Sequence, residues 1–250
     1  MATLGTVYLI GAGPGAQDLI TLRGARLLAA ADVVLHDALV TPEMLELCPQ
    51  AEKIAVGKRC GQLSTAQQFI NKQLVDNARK HAIVVRLKGG DPMLFGRADE
   101  ELRALEEAGI QVEVVPGITT ALAAAAATRQ PLTKRGVARS VAFFTSSTAP
   151  ELDGLVTVPN TDTLVQYMGG REAIATALSL LAQGRAPATP VVVIENVSRV
   201  GQRVLRLTLA DLARGLDAAN GPVLVMIGHA LEMRTHQAAD AMPDERRKLA

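Results

Sequence analysis

Thr6-Val-Tyr-Leu-Ile-Gly11-Ala-Gly-Pro-Gly15-Ala16 runs a short apolar segment straight into a turn made of glycines and one proline. A β-branched and aromatic run of this length, closed by such a turn, has the pattern of a buried strand. The same punctuation recurs twice. The run at 83–87 ends in Lys88-Gly-Gly-Asp91-Pro92, and the run at 112–115 ends in Pro116-Gly-Ile-Thr119. Further runs at 33–35 and 53–56 complete a set of five expected strands. Helical patterns alternate with them. Ser64-Thr-Ala-Gln67 has the form of a capping box, followed by Ile70, Leu74 and Ala78 at intervals of four. A second helix is expected from about residue 96, burying Ala98, Leu102 and Leu105 and stopping at Gly109. Strands that alternate with helices imply βαβ units and a parallel sheet, so the fold class is α/β.

The pattern restarts after the alanine-rich stretch that follows Thr120, which puts a domain boundary near residues 118–138. Strands are expected at 141–145, 163–167, 190–194, 204–207 and 223–227, with helices near 171–182 and 209–216. The connection from 194 to 204 is too short for a helical crossover, so part of this second sheet should be antiparallel. The domains are expected at 1–120 and 121–235, with a loose polar tail at 236–250.

Composition narrows the function classes. Of 250 residues, 48% are apolar and 20% charged, as in a globular protein with a sizeable core. No apolar run approaches the ~20 residues of a membrane span, and Met1 to Thr6 lacks a basic segment of the secretory kind. A soluble cytoplasmic protein is expected, with no membrane partner. Cys48 and Cys60, and the scattered His36, His81, His229 and His236, have no metal-ligand spacing, so no metal is expected. A net charge of +1 and the absence of tryptophan argue against nucleic acid. A few arginines converging on one site still suffice for an anionic small molecule.

Gly11-Ala-Gly-Pro-Gly-Ala16 formally satisfies G-x-G-x-x-A, with Asp32 and Asp37 near the position of a ribose acid, so a nicotinamide oxidoreductase is a rival reading. Pro14 speaks against it, because it removes an N–H where pyrophosphate needs donors. A purely structural tight turn is the third possibility. No Gly-Lys-Ser/Thr phosphate loop occurs. Three glycine turns at strand ends instead suit a compact, uncharged nucleoside with an amino-acid end.

The ordered series Gly11-Ala-Gly-Pro-Gly15, Val33-Val-Leu-His-Asp37-Ala-Leu-Val40, Val56-Gly-Lys-Arg59, Val85-Arg-Leu-Lys-Gly-Gly-Asp-Pro92, Phe95-Gly-Arg97, Val115-Pro-Gly-Ile-Thr119, Pro131-Leu-Thr133, Tyr167-Met-Gly169 and Glu195-Asn196 resembles uroporphyrinogen-III C-methyltransferases. The resemblance runs from about residue 6 to 233. It implies a two-domain tetrapyrrole methylase fold, with an N-terminal parallel-sheet domain, a C-terminal mixed-sheet domain and the active site in the cleft between them. It also implies a homodimer. The implied reaction methylates C2 and C7 of uroporphyrinogen III through precorrin-1 to precorrin-2, for sirohaem, cobalamin or haem d1. Departures from the family pattern include Ala16, Ala98-Asp99, Lys134, Ser146-Ser147 and Val197-Ser198.

By this resemblance S-adenosyl-L-methionine, leaving as S-adenosyl-L-homocysteine, should touch Pro14, Gly89, Gly90, Asp91, Leu94, Thr119, Thr120, Met168 and the backbone at Val197. Met168 has a competing role as core filler. Asp37 is the implied base and Lys58 the implied acid or charge partner, against a structural turn and a solvated lysine respectively. The substrate carries eight carboxylates, which arginine pairs bidentately. Arg97, Arg135 and Arg59 are the candidates. Glu100 either reaches the pyrrole N–H groups or forms an exposed pair with Arg97. A methyltransferase for a later precorrin and a non-catalytic S-adenosylmethionine sensor remain alternatives.

Overall fold

The computed structural model describes residues 4–57, 64–146, 158–217 and 219–233, without the side chains of 64–66. Among these, the chain up to Ala124 together with Asn196–Gln202 forms one compact unit, and Ala125–Glu195 with the chain from Arg203 onward forms another.

The first unit is built from β1 (Thr6–Gly11), α1 (Leu22–Ala29), β2 (Val33–His36), α2 (Pro42–Leu45), β3 (Glu52–Ala55), α3 (Ser64–Ala78), β4 (Ile83–Lys88), α4 (Ala98–Glu107) and β5 (Val112–Val115). Its sheet has the order β3-β2-β4-β1-β5, with every pair parallel. Helices on both faces explain why the central strands β1 and β2 read as nearly continuous apolar runs, whereas the edge strands β3 and β5 carry charged residues and are partly exposed. Val7, Leu9, Val33, Leu35 and Val84 pack with Ile70 and Leu74 of α3 and Leu105 of α4. Ile10, Val34, Val85 and Leu87 pack on the other side with Leu28 of α1 and Met44 of α2. α4 ends where Gly109 takes φ +68°, letting the Ile110 N–H return to the Leu105 carbonyl at 2.9 Å. It starts at Ala98, two residues after the expected position, because Arg97 is left-handed at its N-cap.

The second unit contains β6 (Val141–Thr145), β7 (Thr163–Tyr167), α6 (Gly169–Ala182), β8 (Pro190–Glu195), β9 (Arg203–Thr208), α7 (Leu209–Arg214) and β10 (Val223–Ile227). Its sheet has the order β6-β7-β10-β8-β9. β6 and β7 run parallel, and the remaining pairs are antiparallel, including the short-linked β8 and β9. Ala173, Ala177 and Leu180 of α6 and Leu209 and Leu212 of α7 cover Leu164, Val191, Val193, Val225 and Ile227. α7 begins with a true capping box, in which Thr208 Oγ1 accepts from the Asp211 N–H and Asp211 accepts from the Thr208 N–H.

Three helices went unannounced by the sequence. α1 and α2 are short, and α5 (Thr120–Thr128) is so rich in alanine that it shows no polar stripe. The tail at 236–250 lies outside the described residues. Among those described, no helix is long and apolar enough to cross a membrane.

Asp162 joins the starts of β6 and β7, its Oδ2 accepting from the Arg139 N–H (2.8 Å), the Ser140 N–H (2.9 Å) and the Ser140 hydroxyl (2.8 Å). These donors, the Arg139 N–H foremost, favour the carboxylate and hold its pKa below the ordinary value. The stabilisation is therefore complete above the ordinary carboxylate range and is lost as pH falls through the depressed value. Asp162→Ala should lower the melting temperature at neutral pH, and the difference from wild type should vanish on acidification. A difference independent of pH would show that the carboxylate charge does not contribute.

Candidate active site

Because all five strands of the first unit are parallel, their carboxyl ends share one edge, and the loops leaving them touch in the order of the strands. Gly57, after β3, lies so close to the turn after β2 that a Cβ there would stand 2.2 Å from the Ala38 nitrogen. Gly89, after β4, faces Leu39, whose Cβ would lie 3.1 Å from an added methyl. Gly90 and Gly13 exchange backbone hydrogen bonds of 2.7 and 3.1 Å. A Cβ on Gly117, after β5, would come within 2.3 Å of the Gly90 carbonyl oxygen and 2.8 Å of the Gly11 Cα. At Gly57 and Gly117 glycine is required by backbone packed directly on backbone, and at Gly13 and Gly90 by φ angles of +73° and +70°.

Asp91 fastens the same loops. Its Oδ2 accepts from the Gly117 N–H at 2.9 Å and its Oδ1 from the Met93 N–H at 2.8 Å. Leu94 follows in the turn, its N–H donating to the Asp91 carbonyl. Thr119 and Thr120 open α5, where the Thr119 carbonyl accepts from the Leu122 N–H. Gly90 itself, at φ +70°, has nothing within 4 Å of the direction a side chain would take. The knot of glycines thus presents an open backbone face.

The loop after β1 is engaged by protein on every side. The Ala12 N–H donates to the Lys88 carbonyl, the Pro14 carbonyl accepts from Arg199, the Gly15 carbonyl accepts from Thr41, and the Ala16 N–H donates to Ser198 Oγ. α1 starts only after Thr21, whose hydroxyl caps it. No α-helix N-terminus therefore opens at the glycine turn, which leads only into the 3-10 turn Gln17–Leu19, and the arrangement that would hold a dinucleotide pyrophosphate is missing there. Val197 is buried between Asn196 (φ +55°) and Ser198 (φ +54°). Two left-handed non-glycine residues around it fix the course of that backbone.

Asp37, just past β2, donates its N–H to the Leu87 carbonyl, and its Oδ1 accepts from Arg86 Nη2. Arg86 is 2% exposed and Asp37 29%. Behind them, Glu101 of α4 is 0% exposed, taking Arg86 Nε on Oε1 and Lys88 Nζ on Oε2, each at 2.9 Å. Gln67 of α3 adds a hydrogen bond to Glu101. Burial disfavours the Arg86 charge, but Asp37 and Glu101 more than offset it and raise its pKa. Burial and the neighbouring Arg86 lower that of Lys88.

Arg97 and Glu100 form a half-exposed bidentate pair, Nε to Oε1 at 2.7 Å and Nη2 to Oε2 at 2.8 Å. In the second unit, Met168 follows β7 at φ +57° and is 53% exposed, so it is not core filler. Arg135 is exposed in the turn closed by Lys134 and Ala138. Lys58 and Arg59 lie outside the described residues.

The family model for Tetrapyrrole (Corrin/Porphyrin) Methylases matches residues 6–213. The chain belongs to this family. Among curated relatives of this tetrapyrrole methylase, siroheme synthase 2 of Yersinia pestis (strain Pestoides F) is 46% identical over 240 residues, covering 94% of this chain and 51% of that protein. The chain thus spans about half the length of the curated relatives it matches. Among solved structures, the uroporphyrin-III C-methyl transferase from Thermus thermophilus complexed with S-adenyl homocysteine aligns with a TM-score of 0.79 and 39% identity, covering 90% of this chain and 93% of that one. A cobalt precorrin-4 methyltransferase aligns with a TM-score of 0.77 at 28% identity, covering 91% and 96%.

The residues of this tetrapyrrole methylase that the sequence did not single out are Glu101, Ser198 and Arg199, together with the inward roles of Arg86 and Lys88. Glu101 left a signal, since it shares the buried stripe of α4 with Ala98 and Leu105. Arg86 and Lys88 occupy alternate positions of a buried strand, which is itself unusual for cations. Ser198 stood out only as a departure from the family pattern, with no role attached, and Arg199 left no signal.

Gly117→Ala should destabilise the protein by about 1–3 kcal/mol, because its methyl meets backbone that cannot rotate away. A urea midpoint equal to wild type would mean that the loops separate freely.

Proposed function

We propose that this chain is an S-adenosyl-L-methionine-dependent C-methyltransferase that converts uroporphyrinogen III, through precorrin-1, to precorrin-2 by methylating C2 and C7. The observation that carries this reading is the strand-end edge of the first unit, where interlocked glycine loops with an open backbone face stand beside a carboxylate held by a buried arginine. The edge suits an uncharged nucleoside better than a dinucleotide, since the Ala12, Gly13 and Ala16 N–H groups of the first loop are engaged and no α-helix opens from it. S-adenosylmethionine would supply an electrophilic methyl group. Gly89, Gly90, Asp91, Leu94, Thr119 and Thr120, with Pro14, the Val197 backbone and Met168, are the residues we assign to holding it.

The chain's own part is alignment and proton handling. Fixing donor and acceptor in a reactive pose is worth ~7–11 kcal/mol of barrier. Asp37, with Oδ1 on Arg86, has Oδ2 to take the proton from a pyrrole N–H as the ring carbon becomes nucleophilic. Lys58 is assigned as its acid or charge partner. Arg97, Arg135 and Arg59 pair with substrate carboxylates, and the Arg97 fork, now closed on Glu100, is the right shape for that exchange. Action on a later precorrin is the less favoured reading, since identity is 39% to the uroporphyrin-III enzyme and 28% to the precorrin-4 enzyme. We further propose a cytoplasmic homodimer without nucleic-acid or membrane partners, whose product feeds sirohaem or a related tetrapyrrole.

Anaerobic incubation with uroporphyrinogen III and labelled S-adenosylmethionine should yield a singly and then a doubly methylated product by mass. Absence of transfer would refute the assignment and favour a cofactor sensor. Arg97→Lys and Arg135→Lys should each lower kcat/KM for the tetrapyrrole by an amount equivalent to ~1.5–3 kcal/mol. Affinity for S-adenosylhomocysteine should hardly move. Unchanged kcat/KM in both variants would remove the arginines from the substrate site.

A further inference from the structure

The two cations of β4 are a costly feature that the apolar core does not need. Arg86 and Lys88 point to the same side of the strand as Val84, toward the layer formed by α3 and α4. Taking a guanidinium and an ammonium out of water at neighbouring positions is strongly unfavourable without partners, and a well-packed apolar pair would serve the core as well. Glu101 offsets this, with one carboxylate oxygen on each cation. One carboxylate balances only one of the two charges. The second balancing charge is Asp37, the member of the group that reaches solvent, at 29% exposure.

The Arg86 fork is fully directed. Nε is held by Glu101, Nη1 donates to the Leu35 carbonyl at 3.4 Å and the Leu87 carbonyl at 3.2 Å, and Nη2 goes to Asp37. A planar group anchored on three sides has no rotational freedom with which to follow a moving partner. The orientation of the Asp37 carboxylate is therefore dictated from beneath, by an arginine that is itself fixed from α4.

We infer that Arg86, anchored by Glu101, is the positioning residue of the methyl transfer: it holds the Asp37 carboxylate in one orientation, with Oδ1 bound and Oδ2 presented to the tetrapyrrole. The inference rests on the proposed methyltransferase reading and goes beyond it, by giving the buried charge layer a role in turnover rather than in folding alone. Lys88 completes the charge balance, with its ammonium on Glu101. Its stem supports the turn before α4, with Cε 3.1 Å from where a Gly96 Cβ would stand.

The test is a double-mutant cycle read under single-turnover conditions with uroporphyrinogen III, alongside calorimetry with S-adenosylhomocysteine. Asp37→Asn should lower the rate by about 100-fold, within the usual range for a lost general base. Arg86→Met should lower it by at least about 10-fold, with KM for the tetrapyrrole and Kd for S-adenosylhomocysteine each within about 3-fold of wild type. In the Asp37→Asn background, Arg86→Met should cost less than about 3-fold more, because its route of action has already been removed. Arg86→Lys should stay at least about 10-fold below wild type, since one ammonium cannot span Glu101 and Asp37. Arg86→Met with Glu101→Gln removes one charge of each sign and serves as the variant that keeps the interior balanced if the single change fails to fold. Wild-type rates in folded Arg86→Met, equal losses in both backgrounds, or a parallel loss of cofactor affinity would each overturn the inference. A wild-type chain that transfers no methyl group would overturn it together with the methyltransferase reading, whereas an active wild type with a neutral Arg86 change overturns the inference alone.

Discussion

The close approach of Gly11, Gly90 and Gly117 constrains the rest of the first unit. Three strands deliver their ends to one point, and no side chain fits between the loops that leave them. The backbone has to satisfy itself there, which it does through the Gly13 and Gly90 pair and the Asp91 carboxylate. Flanking parts follow from this. Pro14 is tolerated because no donor is wanted from it, and the 3-10 turn Gln17–Leu19 is needed before the chain can start α1. What emerges is a rigid, uncharged backbone surface rather than a phosphate cradle.

Directly beneath that surface lies the layer of Arg86, Lys88, Glu101 and Asp37. Its energetic logic is the reverse of the apolar core around it. Leu35, Val84 and Leu105 are held by exclusion from water, whereas the charged layer is held by pairing that leaves one carboxylate at the surface. A charge placed this way has a direction as well as a strength, and direction is what a transfer between two small atoms demands.

Most strands were legible because burial on both faces leaves continuous β-branched runs, and the mixed second sheet was legible from one connection too short to cross over. Helix α5 was not, since alanine on all sides gives no amphipathic stripe. Glycine loops declared their positions but not their reason. Asp91 is a case in point: its residue type suggested a ligand acceptor, while its geometry also makes it the clasp between two loops. Met168 was ambiguous in sequence because a strand-end methionine is equally at home in a core, and only its exposure removes that option. Glu101 could be found only by noticing an acid on an apolar helical stripe and asking which buried cation lay opposite. Arg199, which holds the Pro14 and Leu39 carbonyls, comes from a distant part of the chain and carried no local pattern.

Methyl transfer at this edge depends first on where the cofactor sits. A crystal structure of the chain with S-adenosylhomocysteine bound measures this. The ligand should lie against the open backbone of Gly89, Gly90 and Asp91 and reach Thr119, with the Gly13 to Gly90 pairing undisturbed. Density for the ligand away from these loops, or a loop edge that must open its glycine contacts to admit it, would contradict the account.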